Sequence, residues 1–405
     1  MKPIVRAGRM KPVHSDIRGP LFVEAMKRQK QGIDILKLNT GNPATFGFGL
    51  PDSIKNALIE HMQDGVGYCD FKGMPQARQA ICDYETSKGI KGITSDDVFI
   101  GNGVSEVVSF ALTPLLNDGD EVLVPSPSYS LWGNSVYLED GKPVFYTCDE
   151  QANWYPDIQD IRSKITDKTK AIVIINPNNP TGVLYPKELL LEIIQIARES
   201  GLLIFADEIY DRLVMDGKQH ISLASLTEDV PVITLNGLSK SHCLCGYRCG
   251  WMVISGPREL TEDYRQGIIQ LTSLRLCANT LAQIVIPVAL DDMDTPASMV
   301  RPGGRIYEQR EATVRELEKI DGLSFVKNDA AFYVFPKLDV KKFNITNDKQ
   351  FAHDLLDATN ILLVPGSGFD WKDPDHFRIV MLPQADILSD AIRRMGTFLD
   401  GYKQK

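Results

Sequence analysis

Cysteine is scarce: seven residues in 405, an odd number at uneven spacing, which excludes a disulfide framework and fits reduced thiols. Long apolar runs are missing as well. The longest, such as Ala171 to Ile175 and Leu202 to Ala206, fall far short of the ~20 residues that a membrane-spanning helix needs. No basic block interrupts a chain whose 44 Lys and Arg face 53 Asp and Glu, for a net charge of −9. An acidic chain without such a block is a poor phosphate-backbone binder, so nucleic acid is not an expected partner. The first twenty residues carry scattered positive charge but no apolar core of a secretory signal, and the expected location is cytoplasmic. The 31 Gly and 23 Pro show no fixed period, which removes collagen-like and repeat architectures. What remains is an ordinary globular mixture, 43% hydrophobic and 24% charged, long enough for a large core and a smaller appendage.

From about Thr94 to Leu290, short apolar runs alternate with longer amphipathic stretches, the βαβ pattern of a mainly parallel sheet covered by helices. Four runs are clear: Asp97 to Ile100, Glu121 to Val124, Ala171 to Ile175 and Leu202 to Ala206. A fifth, Val230 to Leu235, is rich in β-branched residues. Between the third and fourth, Leu189, Leu190, Ile193, Ile194 and Ala197 recur at helical spacing, with Pro186 near the start and Gly201 just past the end. After about Asp291 the texture changes to a charged helical stretch, Arg305 to Ile320, and short runs at Leu323 to Val326, Ala331 to Phe335, Ile361 to Val364 and Phe377 to Leu382. A final amphipathic helix closes the chain. The expectation is an α/β protein: residues 1–50 form an N-terminal arm and part of a small domain, 51–290 a large domain, and 291–405 a smaller α+β domain.

In an open α/β sheet, ligands bind outside the carboxyl ends of the strands, so the residues just after each run are the ones to inspect. The first run leads into Gly101-Asn102-Gly103-Val104-Ser105-Glu106, and the third into Asn176-Pro177-Asn178-Asn179-Pro180-Thr181-Gly182. The fourth ends in Asp207-Glu208-Ile209-Tyr210; the fifth leads through Asn236-Gly237-Leu238-Ser239-Lys240 to Gly246-Tyr247-Arg248-Cys249-Gly250. Singly, each has a plain explanation: a turn, a helix cap, a solvated lysine. Their coincidence at successive strand ends is what points to a site.

These segments, with Asn39-Thr40-Gly41-Asn42-Pro43, Tyr68 to Gly73 and Arg378, resemble the class I/II aminotransferases of the fold type I pyridoxal-phosphate enzymes almost end to end. Asp16-Ile17-Arg18-Gly19-Pro20, Tyr68-Cys69-Asp70 and Asn236-Gly237-Leu238-Ser239-Lys240 are closer still to the bacterial glutamate-pyruvate (alanine) subgroup. The resemblance implies the pyridoxal-phosphate transferase fold and pyridoxal 5'-phosphate as cofactor, with amino acids and 2-oxo acids as substrates. It implies a homodimer with shared active sites and no membrane partner.

The resemblance also gives each residue a role. Lys240 would form the Schiff base with the cofactor aldehyde and shuttle a proton once freed. Asp207 would face the pyridine nitrogen and keep it protonated, while Asn179 and Tyr210 bind the phenolic oxygen. Tyr129 matches the aromatic residue that stacks on the ring. The phosphate would meet the Val104 and Ser105 amides, Ser239 and Arg248, with Tyr68 reaching the neighbouring subunit's phosphate. Arg378, out of place in the strand-like Phe377 to Leu382, matches the arginine that clamps the substrate α-carboxylate. Gly41 lets the chain pass close to the substrate. Arg18 matches an arginine that could meet a distal carboxylate such as that of glutamate; its alternative is a plain surface charge.

Two departures stand out. Gly237 replaces a serine found in many relatives. Cys243, Cys245 and Cys249 come soon after Lys240, beside His242, at a spacing that matches no common zinc pattern, and no metal is expected. The expected reaction is transamination between L-alanine and 2-oxoglutarate through a ping-pong cycle. An aspartate or aromatic aminotransferase, or a β-lyase on the same scaffold, remains the alternative, because the scaffold fixes Cα–H labilisation while the pocket's shape decides the fate of the carbanion.

Overall fold

Eight strands form the central sheet of the computed structural model, which describes residues 2–405. In spatial order they are Val98–Asn102, Cys249–Ser255, Val232–Gly237, Leu203–Asp207, Thr169–Ile175, Glu121–Ser126, Lys142–Asp149 and Tyr155–Pro156. From Val232–Gly237 across to Lys142–Asp149 every pairing is parallel. All five apolar runs of the sequence are strands, their ends shifted by no more than two residues. They are almost wholly buried because apolar cores cover both faces. Ile172 and Ile174 point into one core, Ala171, Val173 and Ile175 into the other. The helix Lys187–Ser200 buries Leu189, Leu190, Ile193, Ile194, Ile196 and Ala197, and Gly201 closes it in the left-handed conformation at φ 65°.

Three strands of this sheet escape the sequence pattern, the two-residue Tyr155–Pro156 among them. Lys142–Asp149 mixes buried and exposed positions around a proline. Cys249–Ser255 runs antiparallel to both of its neighbours, so the sheet is mixed rather than parallel throughout. Gly250 disguises it, since glycine weakens a strand pattern. Here that glycine is required: a Cβ would lie 2.4 Å from Val104 N and 2.6 Å from the Gly103 carbonyl carbon. Gly250 pairs with both Gly101 and Gly237. The start of this reversed strand therefore shares an edge with the carboxyl ends of its neighbours and carries Arg248 to that edge.

The C-terminal region has its own core, which includes Leu317, Val334, Phe351, Leu355, Phe377, Ile379, Leu388, Ile392 and Met395. Its helices Arg305–Leu317 and Ala385–Asp400 pack on each other. A three-stranded antiparallel sheet places Phe377–Val380 between Tyr333–Val334 and Val364–Pro365. The expected strands at 323–326 and 331–335 shrink to two residues each, Leu323–Ser324 and Tyr333–Val334. Ala331 breaks the second by turning left-handed at φ 60°. Near the N-terminus, Leu38 enters this core, and Leu36–Lys37 pairs in parallel with Ile361–Leu362.

Candidate active site

Lys240 lies in a single helical turn, Leu238–Ser241, directly after the strand Val232–Gly237. Its Nζ donates to the Gly41 carbonyl at 2.9 Å and lies 3.9 Å from Cys245 Sγ. Burial disfavours the ammonium, but the facing Tyr333, Cys245 and Tyr129 outweigh it and hold the pKa above its ordinary value.

Asp207 ends the strand Leu203–Asp207 and is buried. Trp132 Nε1 donates to its Oδ2 at 3.0 Å, and the Ile209 N–H approaches Oδ1 at 3.4 Å. No base is among the groups acting on it, and burial pushes its pKa up to about 6. A buried carboxylate with neutral donors alone is short of a cation.

An anion cradle lies at the same edge. The helix Val104–Leu112 opens after Gly103, whose φ is 84°, leaving amides of its first turn without intrahelical partners. Arg248 packs against that glycine so tightly that a Cβ on Gly103 would lie 2.2 Å from Nη2. The exposed guanidinium donates only to the Cys245 carbonyl, at 2.9 Å. Ser239, buried on the turn before Lys240, adds a hydroxyl. Helix amides, a cation and a hydroxyl together suit a dianion.

Arg378 is 1% exposed and has no carboxylate partner among the described residues. Nη1 donates to Asn179 Oδ1 at 2.9 Å, Nη2 donates to the Asn39 carbonyl, and Nε has no partner. The rings of Tyr333 and Phe369 lie 4.6 and 4.7 Å from the guanidinium carbon. Burial lowers the Arg378 pKa. A buried, uncompensated guanidinium with a free N–H is a receptor for a carboxylate.

Sequence-selected residues therefore meet: Lys240 with Gly41, and Arg378 with Asn179. Tyr210 is buried, its hydroxyl 2.9 Å from that of Tyr333. Tyr129 is 37% exposed beyond the strand Glu121–Ser126. Two selected residues are not drawn into this set of contacts. Tyr68 stands 84% exposed, and Arg18 is exposed, although the neighbouring Ile17 carbonyl accepts from Asn39 Nδ2 at 2.8 Å. Sequence reasoning missed Tyr333 and Trp132, whose polar tips meet Tyr210 and Asp207. Tyr333 lies inside a selected run, and only its place next to Arg378 in the folded sheet distinguishes it.

The cysteine trio does not converge. Cys243 Sγ faces Met299 Sδ at 3.9 Å, Cys245 Sγ donates to the Ser239 carbonyl at 2.9 Å, and Cys249 is buried in its strand. Burial pushes Cys243 and Cys249 up to about 12 and His242 down to about 4. Elsewhere Glu208, Asp211 and His220 come close enough to hold a cation, but the Lys88 ammonium already occupies that role, 2.8 Å from Glu208 and 3.3 Å from Asp211.

Comparison with known proteins agrees with this geometry. Residues 33–392 match the family model for aminotransferase class I and II. The chain is 50% identical to a glutamate-pyruvate aminotransferase of Haemophilus influenzae, with all of both chains covered. It superposes on the crystal structure of an Escherichia coli aminotransferase with a TM-score of 0.98 at 47% identity, again covering both chains completely. An alanine aminotransferase of Pyrococcus furiosus gives a TM-score of 0.92 at 40% identity, covering 98% of this chain and 100% of that one.

Proposed function

Since the chain belongs to the class I and II aminotransferases, a pyridoxal-phosphate-dependent family, we propose that it exchanges the amino group between L-alanine and 2-oxoglutarate, yielding pyruvate and L-glutamate. The uncompensated Arg378 guanidinium beside the Lys240 and Asp207 pocket carries this reading at the site. The full-length likeness to glutamate-pyruvate and alanine aminotransferases supports the substrate pair.

The residues present fit the cofactor. Asp207 lacks the cation that a protonated pyridine nitrogen provides, and the Gly103–Arg248 cradle suits its phosphate. Bound there, pyridoxal phosphate supplies an aldehyde that condenses with amines and a ring that accepts the electron pair left at Cα. Asp207 would hold a proton on the ring nitrogen, and Tyr129 is the aromatic residue available to pack against the ring. The Val104 and Ser105 amides, Ser239 and Arg248 hold the phosphate. Asn179, whose Oδ1 is taken by Arg378, would donate through Nδ2 to the phenolic oxygen, as Tyr210 would through its hydroxyl. Arg378 grips the α-carboxylate through its Nη groups and the free Nε, which fixes the Cα–H bond relative to Lys240. Lys240 Nζ is the amine that would bond the aldehyde and, once released as a neutral amine, would be the base able to move a proton to and from Cα of the substrate. Gly41 keeps the roof low: a Cβ there would lie 2.2 Å from the Tyr333 hydroxyl. Arg18 meets the distal carboxylate of glutamate.

The active form is a homodimer in which Tyr68 serves the partner's phosphate. Its 84% exposure supports this, as do the exposed Val66, Leu274, Leu276 and Leu281, an apolar surface that a second copy would cover. Residues 51–290 form the cofactor-binding domain, and 291–405 with part of 1–50 the smaller one. The enzyme works in the cytoplasm, a reading that its seven free thiols support.

A half-reaction tests the proposal. L-alanine, L-glutamate, L-aspartate and L-phenylalanine are added singly to the loaded protein while its visible band is monitored. Loss of the band with alanine and glutamate, with pyruvate and 2-oxoglutarate formed in amounts matching the enzyme, is the expected result. A response to aspartate or phenylalanine alone moves the substrate, and ammonia release replaces transamination with a lyase.

A further inference from the structure

We infer that Tyr333 is a positioning residue for Tyr210: its hydroxyl donates to the Tyr210 oxygen and so presents the Tyr210 proton to the cofactor's phenolic oxygen. The inference rests on the proposed cofactor site and adds a residue to it. Tyr210 lies just beyond the central-sheet strand that ends at Asp207, whereas Tyr333 sits on the short strand Tyr333–Val334, paired with the strand that bears Arg378. The two phenols meet where the C-terminal sheet faces the central one. Their oxygens are 2.9 Å apart, and the rings meet edge to face at 5.7 Å and 85°.

The direction of the hydrogen bond is set by the number of protons available. Both residues are buried, at 3% and 2% exposure, and a buried O–H requires an acceptor. Tyr333 has no side-chain hydrogen-bond partner other than Tyr210 among the described residues, so Tyr210 is the acceptor available to it. Tyr210 has a single proton. An ionised phenolic oxygen on the cofactor is a stronger acceptor than a neutral phenol, which draws that proton away from Tyr333. The two preferences agree, giving a chain from Tyr333 to Tyr210 to the cofactor oxygen. An O–H that accepts a hydrogen bond is also a better donor. Burial keeps Tyr210 protonated, raising its pKa well above the ordinary value.

The ring of Tyr333 has a second task, packing 4.6 Å from the Arg378 guanidinium. One side chain thus supports the carboxylate clamp through its ring and the cofactor's electronics through its hydroxyl, and removing the oxygen alone separates the two. Tyr333→Phe keeps the ring, the packing and the fold.

The test is a spectroscopic pH titration of the cofactor-loaded chain, measuring the protonation midpoint of its visible band in the unmodified protein, Y333F, Y210F and the double variant. With the chain of hydrogen bonds weakened, the ionised phenolic oxygen is less stabilised. The midpoint in Y333F should rise by roughly 0.3–1 pH unit, and that in Y210F by more. The double variant should match Y210F, because Tyr333 acts only through the hydroxyl that is then missing. An unchanged midpoint in Y333F, or additive shifts in the double variant, overturns the inference. If the unmodified chain shows no titrating band, the cofactor reading fails first and this inference with it.

Discussion

Replacing Lys88 with methionine tests the charge cluster beneath the site. The ammonium lies 2.6 Å from Glu85, 2.8 Å from Glu208 and 3.3 Å from Asp211, all three carboxylates being almost fully buried. Each has other donors: Trp251 for Glu85, Ser222 and the Leu223 amide for Glu208, and Tyr84 and Asn236 for Asp211. These are neutral groups, however, and Lys88 is the cation common to all three. Methionine preserves the volume and deletes the charge. Breaking a buried ionic set in this way costs about 3–5 kcal/mol. For a chain of this length that lowers Tm by roughly 4–6 °C.

The pH dependence gives the sharper test. Burial already pushes Glu85 up to about 7 despite the facing ammonium, and without Lys88 this carboxyl must move higher still. A carboxyl whose folded pKa is raised above its unfolded value favours the fold fully below the unfolded value, and that contribution is lost as pH rises through the folded one. The gap between the parent and K88M must therefore be small near pH 5 and widen toward pH 8.5. Calorimetry of both proteins across that range, with cofactor at a fixed concentration, measures it. A gap below about 1 kcal/mol at pH 8.5, or one that stays flat with pH, would refute the assignment of Lys88 as the neutralising cation.

This cluster also shows what the sequence hides. Lys88 comes directly after the helix Pro75–Ser87 and precedes a glycine, a setting in which a lysine ordinarily reads as a solvated helix end. Its partners lie on other elements, and no local pattern joins them. By contrast, Asp207 and Lys240 are legible because each comes after an apolar run long enough to be recognised as a strand, and the strand end itself puts them at the ligand edge. The five strands at the centre are legible for the same reason, being buried on both faces. Cys249–Ser255 is not, since its glycine serves a backbone approach rather than a side-chain pattern. The two-residue strand Tyr333–Val334 owes its existence to a partner more than 40 residues away, Tyr333 pairing with Val380 and Val334 with Ile379. Tyr333 is hidden with its strand.

Truncating Arg378 to alanine should lower kcat/KM for L-alanine and L-glutamate alike, by roughly 10²–10³-fold; a loss confined to glutamate would show that this arginine reads the distal carboxylate instead. Gly250→Ala drives a Cβ to 2.4 Å from Val104 N, so the helix start must shift. The expected cost is about 1–3 kcal/mol with weaker cofactor binding by equilibrium dialysis, and unchanged values for both would refute the close-approach argument. The N-terminal strap should loosen at alkaline pH. His14 lies 3.0 Å from Asp370 and 3.7 Å from Asp16, which itself pairs with Lys349, and the His14 backbone bonds Asn134 on both sides. Hydrogen bonds to Asp16 and then Asp370 raise the His14 pKa to about 9. Because the folded value is raised, the ionic hold is complete below the unfolded value near 6.5 and is lost as pH climbs through about 9. The strap has a second ionic tie, Arg9 to Asp140 at 2.9 Å. Limited proteolysis at Lys11 and Arg18 should therefore accelerate between pH 7 and 10 in the parent. In His14→Gln it should start fast and stay nearly level, since only the imidazolium is missing; equal slopes in the two proteins would mean that something other than His14 holds the strap.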